Sequence, residues 1–226
     1  MFKIPGVNFG CRLAMQVAVG DLIGELHWRV RSVLRARRYY SATGLIHLCK
    51  AKILSYAEYR TAAVFHACDS HLHGLDRVQT RFLEEIGVDP LTAFTVFNLA
   101  PLQARRNIAM LGLIHRAVLG QGPVHFKSFF ELDGTALRRS GRFQRHPLQI
   151  REYRDGTQLE IVKRSCLGLA SVYNLLPSEC VGHSDVKGFQ RSLQDHLRDC
   201  AQRGLEQWEL LHCPRLPIHN HPLRRF

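Results

Sequence analysis

Nowhere in the 226 residues does an apolar run approach the roughly 20 that a membrane-spanning helix needs, because arginine, lysine or histidine interrupts every candidate. A bilayer-crossing helix is therefore not expected, and the chain reads as a soluble protein with no membrane partner. The opening MFKIPGVNFG carries one lysine and lacks the long apolar stretch and small-residue cleavage site of a secretory leader, so the expected location is intracellular, in cytoplasm or nucleus. Acidic residues are scarce: 19 Asp and Glu face 31 Lys and Arg, a formal net charge of +12 that favours polyanionic partners. Framework spacing is also lacking among the cysteines Cys11, Cys49, Cys68, Cys166, Cys180, Cys200 and Cys213, which fits reduced thiols rather than a disulfide scaffold.

The chemistry of a recognisable active site is missing as well. There is no G-x-x-x-x-G-K-[ST] loop to cradle phosphates and no G-x-G-x-x-G turn for a dinucleotide. Ser165 and Cys166 lack the glycine-flanked elbow that exposes a hydrolase nucleophile. Glu84 and Glu85 are adjacent, so on a helix they point apart and suit solvation better than paired acid–base work. The stretch HACDSHLHG gathers His66, Cys68, His71 and His73 without a C-x-x-C pair or a second ligand pair, which fits a hydrogen-bonded helix junction better than zinc. Cys200, His212 and Cys213 form a weaker cluster still. No catalytic residue, metal or cofactor is expected.

What is present is helical patterning on a 46% hydrophobic chain. Leu22, Leu26, Val30 and Val33 predict one buried face of a helix over residues 16–37. A second helix is expected over 42–67, capped by Ser41 or Thr43 and burying Leu45, Ile46, Cys49, Ile53, Tyr56 and Ala57. A third is expected over 72–86 through Leu75, Val78, Phe82 and Ile86, stopped by Gly87. Asp89–Pro90 and Pro101 each open a further helix, the latter carrying Ile108, Leu111, Ile114 and Leu119. The pattern then fails between 132 and 163. It returns in SCLGLASVYNLLP and in a helix over 185–203 with Ser184 as its cap and Phe189, Leu193 and Leu197 inside.

The expected fold class is mainly α. A short N-terminal strand and turn occupy residues 1–20, a helical domain 21–130, an exposed loop or linker 131–164, a C-terminal helical segment 165–211 and a loose, proline-rich tail 212–226.

Charge is uneven along this chain. Residues 1–50 and 101–150 each hold eight Lys and Arg against two Asp and Glu, whereas 51–100 hold four against six. The densest stretch is HWRVRSVLRARRYY, residues 27–40, with five arginines and three aromatics. At about 100° per residue, Arg31, Arg35 and Arg38 fall opposite the apolar stripe with Trp28 beside them. Such a face suits phosphate contacts with stacking at its edge, and it equally suits a solvated helix side with Trp28 packed on a neighbour. Arg37 projects near the apolar stripe, where capping the helix or pairing with an acid is expected.

Several phrases, in order, resemble the C-terminal part of non-LTR retrotransposon reverse transcriptases. GVNFGCRLAM is similar to the strand and turn that close the palm, and LIHLCKAKILSYAEYRTAAVFHA to the helix that follows. LDRVQTRFLEEIG, through Leu75, Val78, Gln79 and Leu83, is similar to the family's Leu-x-x-Val-Gln-x-x-x-Leu segment. NLAPLQARRNIAMLGLIHR resembles its proline phrase, Arg-Arg pair and long helix, here with Pro101, Leu102, Arg105 and Arg106. VYNLLPSECVGHSDVKGFQRSL resembles Trp-Asn-x-Leu-Pro followed by Ser-x-x-x-Phe-x-x-x-Leu, with Tyr173 where tryptophan is usual.

The resemblance implies a thumb-like helical bundle whose basic side chains lie against template–primer backbone. On that reading Trp28, Arg31, Arg35 and Arg38 are nucleic-acid contacts. Arg105 and Arg106 are a second candidate contact, set against a surface or inter-helix role for the same pair. The chain contains no Asp-Asp, and the palm pair that holds two metal ions lies, in the family, upstream of the region this chain resembles. The implied function is a non-catalytic relative of a reverse transcriptase that binds RNA or DNA backbone without reading sequence. The alternative is a helical protein-interaction module or a translated transposon relic with no selected role.

Overall fold

The computed structural model describes residues 2–4, 7–9, 15–133, 145–152 and 160–225. It is mainly helical, and no helix among the described residues is long and apolar enough to cross a membrane. The chain divides into two compact units, Met1–Arg106 and Asn107–Phe226.

The first unit opens with strands β1 (Phe2–Ile4) and β2 (Val7–Phe9), paired antiparallel in the register Phe2 with Phe9, Lys3 with Asn8 and Ile4 with Val7. Helix α1 (Gln16–Arg35) then buries Leu22, Leu26, Val30 and Val33, the stripe set by their three-to-four spacing. It ends in a 3₁₀ turn, Ala36–Arg38. Ser41 accepts from the Gly44 amide and starts α2 (Ala42–Cys49).

The continuous helix expected over 42–67 is divided into three shorter α-helices. A π turn, Lys50–Leu54, separates α2 from α3 (Ser55–Tyr59), and Arg60 interrupts the chain before α4 (Thr61–Val64). Ile53 and Leu54 are both buried within the π turn, and the widened turn shifts the register by about one residue. Ser55 also bonds back to the Ala51 carbonyl at 2.6 Å, a local contact that bends helices.

Helix α5 (Asp69–Ile86) begins three residues before its expected start and packs along α1, with Leu75, Val78 and Phe82 inside. Gly87 closes it at φ +68°, a left-handed position where a Cβ is strained. Asp89 accepts from the Thr92 amide at 2.9 Å and, with Pro90 in the first turn, starts α6 (Pro90–Thr95). Helix α7 (Leu102–Val118) contains the boundary between the units.

The second unit continues through α8 (Val124–Lys127), α9 (Glu160–Arg164), α10 (Ala170–Asn174), α11 (Ser178–Val181) and α12 (Val186–Gln202). Phe189, Leu193 and Leu197 are fully buried, as their spacing demands. The cap of α12 is Asp185 rather than Ser184: its carboxylate accepts from the Gly188 amide at 2.8 Å, whereas Ser184 lies one residue too early.

Two stretches expected to be irregular carry order. Within the 131–164 segment, Leu132 bridges to Ile150, which is buried, as is His146; residues 134–144 and 153–159 lie outside the described residues. The tail is not loose: His221 donates from Nε2 to the Cys213 carbonyl at 3.0 Å, and Pro222 and Leu223 are buried beside it. Prolines that removed any helical period from this sequence instead introduce short 3₁₀ turns, Ile218–Asn220 and Pro222–Arg225, by fixing φ.

Candidate nucleic-acid interface

The five arginines of residues 27–40 are not equivalent. The Arg29 guanidinium lies 4.0 Å from the centre of the Tyr56 ring, with Arg60 at 4.6 Å from the same ring, so Arg29 is engaged in cation–π packing. Arg37 reaches across to Glu85 at 3.2 Å, the acid pairing expected of it. Arg31, Arg35 and Arg38 remain exposed, and none of the three has an ion pair or side-chain hydrogen bond among the described residues. Trp28 stands on the same side of α1 and is 62% exposed, so it is not packed on a neighbour.

The helix places these groups by simple periodicity. Trp28, Arg31 and Arg35 succeed one another at three and four residues on the side opposite Leu22, Leu26 and Val30. Towards the N-terminus the same side carries exposed Asp21 and Glu25, with Asp21 accepting from Asn8 at 2.8 Å. The positive part of the surface is thus confined to the C-terminal half of α1 and its 3₁₀ extension.

Helix α5 extends it sideways. Burial lowers the pKa of His27, and the nearby charges of Arg81 and then Arg31 lower it further, which places cations of both helices around one imidazole. Arg77 and Arg81, one helical turn apart, are both exposed. Sequence reasoning missed them because residues 51–100 are acidic on balance, although the i, i+4 spacing in DRVQTR was visible.

The second candidate contact is corrected. The Arg106 side chain is 6% exposed and grips Asp76 with two hydrogen bonds, Nη1 to Oδ1 at 2.6 Å and Nη2 to Oδ2 at 2.9 Å. A buried guanidinium in a two-pronged carboxylate pair has no face left for a phosphate. Arg105 bonds to Glu58 through Nε and is largely covered. Both therefore fasten α7 to neighbouring helices, the inter-helix role.

Elsewhere the titratable groups serve packing. Cys68 Sγ lies 2.7 Å from His71 Nδ1 and 3.3 Å from Ser70 Oγ, a closed junction at the start of α5. Tyr173 is fully buried and its hydroxyl lies 2.9 Å from His115 Nδ1, while His115 Nε2 donates to the His183 carbonyl at 2.9 Å; burial lowers the pKa of this imidazole and pushes that of the phenol up. His146 Nε2 donates to the Tyr173 carbonyl at 3.0 Å. His212 is enclosed with neither ring nitrogen hydrogen-bonded among the described residues, and burial, then His196 and His221, bring its pKa down to about 3. The six cysteines among the described residues are free thiols; Cys11 lies outside them. Among the described residues no group of three or more His, Cys, Asp or Glu side chains is placed to hold a metal ion. Comparison with protein-family models, curated proteins and solved structures gives no match.

Proposed function

We propose that the chain binds RNA or DNA backbone, without reading sequence, through the C-terminal half of α1. We propose further that it does so as a non-catalytic relative of the C-terminal, thumb part of a non-LTR reverse transcriptase. The observation that carries the binding is the sorting of the arginines. Arg29 and Arg37 are held by Tyr56 and Glu85, whereas Arg31, Arg35 and Arg38 stand together, exposed and without a carboxylate partner among the described residues. Three unneutralised guanidinium groups on one surface strip repel one another, and a row of phosphates relieves that repulsion while releasing counterions. Arg77 and Arg81 on α5 add to the same field. The kinship rests on the ordered phrases from GVNFGCRLAM to FQRSL and supplies a reason for such a strip, since a thumb lays basic side chains against nucleic-acid backbone.

The test is the salt dependence of binding. Neutralising three phosphates predicts a slope of log K against log salt of about −2.7 on duplex and about −2 on single strands. Arg31→Glu, Arg35→Glu and Arg38→Glu together should remove most of the affinity. Salt-insensitive binding, or a triple variant that binds like the parent, overturns the proposal.

A helical protein-interaction module is the second reading, and one observation favours it. In the second unit Val124 is 89% exposed, and it lines an open groove of about 470 Å³ with Val118, Phe130 and Leu132. Association that depends on this groove, with no nucleic-acid affinity near physiological salt, would establish it instead.

A further inference from the structure

The arginine strip is flanked by large aromatic side chains that the fold leaves in water. Trp28 is 62% exposed at the start of the strip, and Tyr39 and Tyr40, directly after Arg38, are 85% and 51% exposed. Phosphate contacts alone account for none of them. An exposed indole hydrates poorly over a large area, and a folded chain ordinarily covers such rings or uses them at an interface.

Their placement narrows the ligand. Trp28 to Arg35 spans roughly 10 Å along α1, so the indole lies one turn from Arg31 and two turns from Arg35 on the same stripe. Tyr40 leans on α2, its Cδ1 atom 3.1 Å from where a Cβ on Gly44 would stand, which steadies the ring at the other end of the strip. Glu25 and Asp21 close the strip on the N-terminal side of Trp28, where a phosphate chain would be repelled. The strip therefore offers cations for a backbone and flat apolar rings for something that stacks. In a duplex the base faces are already occupied by neighbouring bases, and an indole amid phosphate contacts would meet only sugar and phosphate. An unpaired strand presents both groups at once.

Building on the backbone-binding reading above, we infer that this face prefers single-stranded RNA or DNA, with Trp28 stacking on an unpaired base while Arg31, Arg35 and Arg38 hold the flanking phosphates. The preference comes from ring stacking and carries no base specificity, since every base has a π-face.

The experiment uses the full chain and two ligands at matched phosphate concentration, a labelled 12-nucleotide oligo(dT) and a 12-base-pair hairpin. Binding is read by anisotropy of the label and by tryptophan quenching, with Trp28→Phe distinguishing the signal of Trp28 from that of Trp208. Trp28→Ala should weaken oligo(dT) binding about tenfold, the range of one lost base stack. It should weaken the hairpin less than threefold, and Trp28→Phe should recover most of the loss. Quenching should accompany oligo(dT) alone. Equal losses on both ligands, or no quenching by oligo(dT), overturns the single-strand inference. The triple glutamate variant separates the two claims: if it loses both ligands while Trp28→Ala loses neither, backbone binding stands and stacking falls. If it binds both like the parent, backbone binding falls and this inference falls with it.

Discussion

Replacing Asp76 by alanine would leave the Arg106 guanidinium, 6% exposed and doubly bonded at 2.6 and 2.9 Å, without its carboxylate. An uncompensated buried charge costs about 3–5 kcal/mol. Asp76 is itself 24% exposed, so water reaches the vacated site and the lower end, about 3 kcal/mol, is expected. Removing both charges tests the reasoning more sharply. Arg106→Met with Asp76→Leu keeps apolar volume and abolishes the desolvation cost of the pair, so the double variant should be destabilised by less than Asp76→Ala alone. Urea unfolding followed by far-UV circular dichroism of the parent, Asp76→Leu, Arg106→Met and the double variant closes the cycle, and its coupling should exceed about 1 kcal/mol. Strictly additive losses would refute the buried-pair account. So would an Arg106→Met variant that keeps full stability but loses nucleic-acid affinity, since that result would return Arg106 to the interface.

Acid should weaken the second unit. His212 has a folded pKa of about 3 against about 6.5 unfolded, so its contribution is fully present above pH 6.5 and is lost as pH falls towards 3. At pH 4 the loss is about 3 kcal/mol, and His212→Leu should flatten the profile of Tm against pH; a wild-type Tm constant from pH 7 to 4 would contradict it. Gly168→Ala should destabilise by about 3 kcal/mol in urea, because the new Cβ would stand 2.0 Å from the Lys163 carbonyl oxygen; unchanged stability would show that the backbone yields freely. Gly87→Ala should cost about 1 kcal/mol, the strain of a left-handed alanine after α5. Glu85→Gln releases Arg37 to join the exposed strip, so polyanion binding should strengthen several-fold and the salt slope should steepen by about 1; an unchanged slope would place Arg37 outside the footprint.

The sequence alone determined the helical class, the inward faces of α1, α5 and α12, the starts at Ser41 and Asp89 and the stop at Gly87. Each of these depends on neighbours within one or two turns, where helical period, side-chain capping and glycine's φ preference act. Local chemistry also placed Trp28, Arg31, Arg35 and Arg38 on one side of a helix. It was silent on what lies across from a residue. Arg105 and Arg106 read like Arg31 and Arg35 until α7 meets Glu58 and Asp76, contributed by α3 and α5 far away in the chain. Arg77 and Arg81 joined the cationic surface only when α5 packed along α1. The burial of Leu223 likewise follows from close packing, which rewards filled volume wherever the chain supplies it and leaves no period to read. Which arginines remain free to meet a phosphate was therefore a tertiary decision, because neutralising a charge depends on a partner's distance in space rather than its position in the chain.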